Sequence, residues 1–326
     1  MAIDWSQFIE LVQQNQSFLL TTHIRPDCDA LGSVLGMAEV LEAVGKQVRI
    51  VNGHPTPPNL AFIDPGNRIE VLEDLEGDPT ADVDVVMVLD TSAWVQLGGM
   101  ADVIRATSAV RVIVDHHKSG DDLSAIEFKD VSAEATGALV VEVADALGVP
   151  LNAAMASPLF AAIATDTGWF RFPATSSRTY ELASRLTTAG ASPAEIYGRL
   201  YEQETLGRLQ LRGVVLSRVA TECDGALAHT YIRLADFQQT GALPSDTEDL
   251  VNLALTIQGT QAAVILVEQQ EDVYKVSFRS RCELDCSEVA GEFQGGGHQA
   301  AAGGSVEGPF EESLGRVLDA MRSRLA

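Results

Sequence analysis

Thr21-Thr22-His23-Ile24-Arg25-Pro26-Asp27-Cys28-Asp29-Ala30-Leu31-Gly32-Ser33 is the stretch from which the rest of the chain can be read. Residues 17–20 ahead of it are mostly apolar and predict the end of a short buried strand. Behind it, Leu31, Val34, Leu35, Ala38 and Leu41 recur at helical spacing and predict a helix over 30–44. The turn between strand and helix therefore carries one imidazole and two carboxylates, His23, Asp27 and Asp29. Two carboxylates this close resist joint ionisation if they point into one cleft, and a divalent cation would offset them. The alternative is structural: Asp29 as a helix N-cap and Asp27 as a solvated loop residue.

Two further runs widen the reading. Residues 84–89 (D-V-V-M-V-L) are nearly all apolar and end on Asp90; residues 111–114 (R-V-I-V) end on Asp115, His116 and His117. Continuous Val/Ile/Leu runs mark strands buried on both faces, as in parallel sheets. Ligands of open α/β sheets bind beyond the carboxyl ends of such strands. A helical pattern over 153–165 then delivers Asp166, in T-D-T-G-W-F. Four segments thus bring carboxylate and imidazole groups to one rim.

Taken in order, H-x-x-x-D-x-D at 23–29, V-L-D-T at 88–91, D-H-H at 115–117 and T-D-T-G at 165–168 resemble the DHH phosphoesterase superfamily. The late G-G-G-H-Q-A-A-A-G at 295–303 resembles its DHH-associated substrate-binding domain. The combination is similar to the nanoRNase branch, whose members are oligoribonucleases and pAp phosphatases, and it covers essentially the whole chain. The resemblance implies an α/β protein: a DHH domain at 1–190 with a mostly parallel sheet flanked by helices, a helical connector at 191–220, and a smaller α+β substrate-binding domain at 221–326. It implies a two-metal site in which His23 and Asp27 bind one ion, Asp29, His116 and Asp166 bind the other, and Asp90 bridges. Asp115 would orient a histidine and His117 would meet the substrate phosphate, so that Asp90, Asp115, His116 and His117 form the catalytic group. Arg279, Ser280 and Arg281, with Gly296, Gly297 and His298, would hold the distal part of a nucleotide. The mixed imidazole and carboxylate donors favour Mn²⁺, with Mg²⁺ second. One departure stands out. Related proteins often carry an arginine shortly after the V-L-D-T aspartate, where this chain has Ala93, Trp94 and Val95.

The chain has 326 residues, 46% of them hydrophobic, enough for two domains with sizeable cores. Its 22 basic and 46 acidic residues give a net charge of −24. Long nucleic-acid binders rely on basic surfaces for counterion release. The charge therefore argues against a long duplex or a processive single-strand substrate, and favours short RNA oligonucleotides or nucleotides such as pAp. Cyclic di-AMP and pApA remain rival substrates of the same site. A pyrophosphatase would need a basic cluster in its second domain that is missing here, and a non-catalytic nucleotide binder would be expected to have lost a metal ligand. The start at 1–10 is polar and acidic, without a signal-peptide pattern, and no run approaches the length of a membrane span. Cys28, Cys223, Cys282 and Cys286 form no disulfide framework. These features predict a soluble cytoplasmic protein, and a homodimer is compatible with them.

Along the rest of the chain, patterning predicts helices over 5–13, 133–146, 176–189 and 311–324. Strands are expected at 48–51, 226–234, 262–267 and 273–280, with a helix over 247–257 between the second and third of these. Residues 194–220 form helix without a core-like run. An Ala-rich helical start is expected directly after His298.

Overall fold

Residues 85–89 and 112–114 are buried on both sides, which is why their sequence does not alternate. In the computed structural model, which describes residues 3–325, the chain forms two units that divide between Gln203 and Glu204. In the first unit the elements run α1 (Ser6–Gln14), β1 (Ser17–Thr21), α2 (Cys28–Ala43), β2 (Gln47–Asn52), β3 (Ile69–Val71), β4 (Val85–Leu89), α3 (Met100–Ala106), β5 (Val110–Asp115), β6 (Ile126–Lys129), α4 (Thr136–Ala146), α5 (Ala153–Asp166), α6 (Ser177–Ala189) and α7 (Pro193–Tyr201). The strands form one parallel sheet in the order β3-β2-β1-β4-β5-β6. Phe18, Leu20, Val85, Met87, Leu89, Val112 and Val114 enter a large core with α1, α2, α4, α5 and α6. Leu19, Val86, Val88 and Ile113 pack on the other face with Met100 and Ile104 of α3. The carboxyl ends of β1, β4 and β5 lie side by side, so their loops share one rim.

The second unit runs α8 (Leu206–Ser217), β7 (Ala220–Glu222), β8 (Leu227–Ile232), α9 (Leu234–Thr240), α10 (Leu250–Ala254), β9 (Ala262–Gln270), β10 (Val273–Ser280), α11 (Cys286–Gly291), β11 (Gly296–His298), β12 (Ala301–Glu307) and α12 (Phe310–Leu325). Its sheet has the order β11-β12-β10-β9-β8-β7, antiparallel except for the β8–β9 pair. Tyr274, Val276 and Phe278 face α11 and α12. Ala263, Ile265 and Val267 of β9 face α8 and α10.

Several details differ from the sequence expectation. The residues after His298 are not a helical start: Ala301–Glu307 is a strand, closed onto β11 as a hairpin. Small side chains there permit close backbone approach, and that requirement outweighs alanine's helix preference. The helix expected over 247–257 is only Leu250–Ala254, because Asp249 is left-handed (φ 63°) and interrupts it. The connector stretch is shared between the units: Ile196 of α7 is buried in the first core, and Leu211 and Val215 of α8, four apart, are buried in the second. Among the described residues, no helix is long and apolar enough to cross a membrane.

Candidate metal and phosphate site

Asp27 caps α2. Its Oδ1 accepts hydrogen bonds from the backbone N–H groups of Asp29 and Ala30, each at 3.0 Å. The cap is therefore Asp27 and not Asp29. Asp29 lies one residue into the helix, 2% exposed, and reaches across to the start of α4. It accepts from the N–H of Thr136 at 2.7 Å and of Gly137 at 2.8 Å, and from the Ser33 hydroxyl at 3.1 Å. Its charge thus sits at the positive end of a second helix.

Asp90 follows β4 in a left-handed conformation (φ 64°), tied down by its N–H to the Val114 carbonyl at 3.0 Å. This turn aims the carboxylate inward, where Oδ1 accepts from the Thr136 hydroxyl at 2.9 Å. Oδ2 lies 3.4 Å from His23 Nε2, and Oδ1 lies 3.6 Å from His116 Nε2. His23 Nδ1 is engaged by the Ile24 carbonyl at 3.0 Å, and His116 Nδ1 by that of Ala133 at 3.2 Å. Both rings therefore present Nε2 to the cleft, a common way of fixing a metal-binding imidazole. His116 Nε2 is also 3.7 Å from Asp29 and 3.4 Å from Asp166, the last residue of α5.

The donor atoms gather into three overlapping groups: His23, Asp27 and Asp90; Asp29, His116 and Asp166; and Asp90, His116 and His117. Within each group they lie within 4.8 Å of one another. Asp90 is common to the first and third groups, one oxygen toward each side.

Electrostatics show what the cluster lacks. Burial, then the charges of Asp29 and Asp27, push Asp90 well above the usual carboxylate range. Burial and Asp29 raise Asp166 to about 6, against the opposing pull of His116. Neither Asp29 nor Asp90 has a lysine or arginine in ion-pairing range among the described residues. Buried carboxylates with only imidazoles for company are the donor set of a divalent cation site.

Behind the cluster lies a second network. Asp115, fully buried at the end of β5, accepts from the His117 ring Nδ1 at 2.9 Å, from the Ser92 hydroxyl at 2.8 Å, and pairs with Lys129 Nζ at 3.1 Å. Burial alone would raise its pKa, but these hydrogen bonds, with that of the His117 backbone N–H, outweigh it and hold the carboxyl far below its usual range. The bond to Asp115 in turn raises His117. Because the carboxylate can only accept, His117 Nδ1 carries the proton, and Nε2 is left free of this bond. Lys129 also binds Ser92 Oγ at 2.7 Å and the Ser119 carbonyl at 3.2 Å, seating the loop at 118–122. Sequence reading missed Thr136, Ser92 and Lys129. Ser92 lies two residues after Asp90, but Thr136 opens a helix far along the chain from the groups it touches, and Lys129 ends a strand too short and too mixed to signal itself.

In the second unit, Arg279 lies on the face of β10 shared with Lys275 and Ser277, bordering a cavity of about 180 Å³ with Glu248 and Asp249. The ladder pairs Arg279 with Ala301, and Ala301 with His298, so Arg279 and His298 occupy one face at one level. Arg281 is exposed beyond the strand end. Ser280 lies on the opposite face, buried, its hydroxyl bonded to the Cys282 carbonyl at 3.2 Å, so it does not join the arginines. Gly296 and Gly297 are part of the edge strand β11. Gly297 requires its missing side chain: its φ is 149°, and a Cβ would lie 2.6 Å from the Ala301 carbonyl oxygen.

Comparison with known proteins agrees with this architecture. Residues 17–163 match the DHH family N-terminal domain and residues 224–326 match the DHHA1 domain. The bifunctional oligoribonuclease and PAP phosphatase NrnA of Thermus thermophilus is 30% identical over 312 residues, covering 94% of this chain and 89% of that protein. The protein of the same name from Bacillus subtilis is 28% identical over 305 residues, covering 92% and 93%. The crystal structure of an exopolyphosphatase-related protein from Bacteroides fragilis superposes with a TM-score of 0.80 at 26% identity, over 97% of this chain and 95% of that one. On its ordered motifs, its two units and these relatives, the chain belongs to the DHH family, NrnA type, with a DHH domain followed by a DHHA1 domain.

Proposed function

We propose that the chain is a metal-dependent phosphoesterase that hydrolyses short oligoribonucleotides to 5′-mononucleotides and converts pAp to AMP. The observation that carries this reading is the pair of donor groups, His23/Asp27/Asp90 and Asp29/His116/Asp166, drawn together by His116 and the two oxygens of Asp90. His23 and Asp27 would hold one cation, Asp29, His116 and Asp166 the second, and Asp90 both. Mn²⁺ suits these donors best, with Mg²⁺ as the substitute. Such ions, when bound, supply a hydroxide-like water and neutralise charge on the phosphoryl oxygens.

The chain's own residues do the rest. Thr136 holds Asp90 Oδ1, and the first turn of α4 holds Asp29, so neither carboxylate has to reorganise during reaction. His117, which the bond to Asp115 favours in its doubly protonated form, would donate its Nε2–H to a non-bridging phosphate oxygen. The two reactions share a bond: each breaks P–O3′, adds a water oxygen to phosphorus and returns a proton to the ribose 3′-oxygen. One site therefore serves both. Arg279, Arg281 and His298, with the backbone of Gly296 and Gly297, would bind the portion of the nucleotide away from the scissile phosphate.

The test is product analysis with Mn²⁺ on an RNA dinucleotide, a five-mer, a long single strand, pAp, pApA and cyclic di-AMP. Rapid formation of mononucleotides from the dinucleotide and of AMP from pAp, with the long strand nearly untouched, is the expected result. Processive loss of the long strand, or turnover of cyclic di-AMP alone, would overturn it.

A further inference from the structure

Directly after Asp166 the chain does something costly. Gly168, Trp169 and Phe170 are consecutively left-handed, with φ of 56°, 58° and 63°. Bulky residues are rarely held there, and such strain persists only where neighbours enforce it. Here they do: Trp169 N–H binds the Ala164 carbonyl at 2.6 Å, and the N–H groups of Arg171 and Phe172 both bind that of Thr167, at 2.9 and 3.0 Å. Arg171 Nε closes the turn on the Gly168 carbonyl at 2.6 Å.

The strained turn assembles an array of aromatic rings. Trp169 packs edge-on against Tyr197 at 5.0 Å and Tyr201 at 5.7 Å, both on α7, while Phe170 stacks on Tyr180 of α6 at 5.5 Å. Most of this surface is open: Tyr180 is 58% exposed and Tyr201 47%, with Phe172 and Tyr197 exposed beside them. Exposed aromatic patches of this kind mark binding surfaces. This one adjoins the cluster, because Asp166 ends α5 and Trp169, against which Tyr197 and Tyr201 pack, follows only three residues later. Arg171, held on the Gly168 carbonyl, is the cation of this turn.

We propose that this array, with the exposed Tyr201 packed on Trp169, is a stacking platform for a nucleobase of the short oligonucleotide whose phosphate meets the carboxylate–histidine cluster; the inference rests on the function proposed above. Every base offers a π face, so such a platform is indifferent to sequence. It also binds without positive charge. In a chain with a net charge of −24, neutral stacking supplies affinity that counterion release would otherwise provide. A second copy of the chain seated here would cover the ground beside Asp166, and so obstruct the approach to the cluster.

The test uses the full chain and a diribonucleotide beside an analogue that lacks one base. Tyr201→Ala should cut the preference for the base-bearing substrate, as a ratio of kcat/KM, by about tenfold, and Tyr201→Trp should keep it. The loss should appear in KM. Independently of turnover, a 2-aminopurine dinucleotide bound with Ca²⁺ should be quenched by the parent and less so by Tyr201→Ala. An unchanged preference with unchanged quenching overturns the proposal. So does loss of self-association in sedimentation without any change in preference, which would assign the patch to a second copy. Failure of the parent to cleave any nucleotide, with quenching intact, would strike the proposed reaction and leave the platform standing.

Discussion

Lys129 shows how much a single unannounced side chain contributes. It reaches the buried carboxylate of Asp115 at 3.1 Å, and through Ser92 and the Ser119 carbonyl it fixes the loop that follows the two histidines. Removing one member of a buried pair strands the other's charge, at a cost on the order of 3 kcal/mol. Lys129→Met should therefore lower the melting temperature and reduce kcat about tenfold or more, because Asp115, which orients His117, loses the cation that holds it; Lys129→Arg should restore part of both. Loss of stability with kcat untouched would show that the network serves the fold alone. The acidic cluster makes a separate prediction for metal-free protein. Asp166 rises from 3.8 to about 6 on folding, and Asp90 also rises. A raised carboxylate contributes stability that is present below its unfolded pKa and lost as pH climbs through the folded one. Chelator-treated protein should thus lose this contribution between about pH 4 and pH 6, whereas Asp166→Asn lacks the Asp166 share of it. The difference in melting temperature between the two, followed against pH, should favour the parent at pH 4 and the variant at pH 7. Added Mn²⁺ should stabilise the parent more at pH 7 than at pH 5, and a flat difference curve would refute the coupling.

Helices α2 and α5 set the spacing of the site, and they do so through glycine. A Cβ on Gly32 would run into the Pro158 carbonyl oxygen, and one on Gly36 would lie 2.5 Å from Leu159 Cδ2. Four apart on one face, the two glycines let α2 lie close against α5. The start of α2 carries Asp27 and Asp29, and the end of α5 carries Asp166, so this contact fixes the distance between them. Gly32→Ala should cost about 1–3 kcal/mol by overpacking and weaken Mn²⁺ binding in a titration, the second effect separating it from a surface change. Unaltered metal affinity at reduced stability would mean that the site is set by its loops instead. The same scale shows what could be read from sequence. β1, β4 and β5 announced themselves because strands buried on both faces are apolar throughout, and their terminal His and Asp residues could be placed on one rim before any coordinates. The edge strands β3, β6, β7 and β11 did not, since short edges carry polar and small residues to avoid unwanted pairing. The hairpin after His298 was hidden for another reason. Ala and Gly tolerate a close strand pairing as readily as a helix start, and only the partner strand decides between them. Asp29 illustrates the limit for a single residue: its neighbours suggested a local cap, but its partners Thr136 and Gly137 lie more than a hundred positions away.

At the scale of the molecule, charge and substrate are opposed. A chain of net charge −24 repels a polyanion at a distance, and only the short-range groups of the cleft attract it. Each added phosphate enlarges the repulsion, while the cluster can neutralise only the phosphate being cleaved. Length discrimination follows without any wall to block a longer strand. The consequence is an inverted salt dependence. For a basic groove, salt weakens nucleic-acid binding steeply, because counterion release loses its advantage. Here salt should screen the repulsion, whose reach shrinks to about 8 Å at physiological ionic strength. At fixed Mn²⁺, kcat/KM for a dinucleotide should rise by about two- to fivefold between 20 and 200 mM KCl, and more for a five-mer than for the dinucleotide. The measurement needs initial rates at substrate well below KM, so that encounter and binding are what the salt changes. A steep fall with salt would mean that a local basic track, not the global field, governs the encounter. In that case the preference for short substrates would have to come from the shape of the cleft.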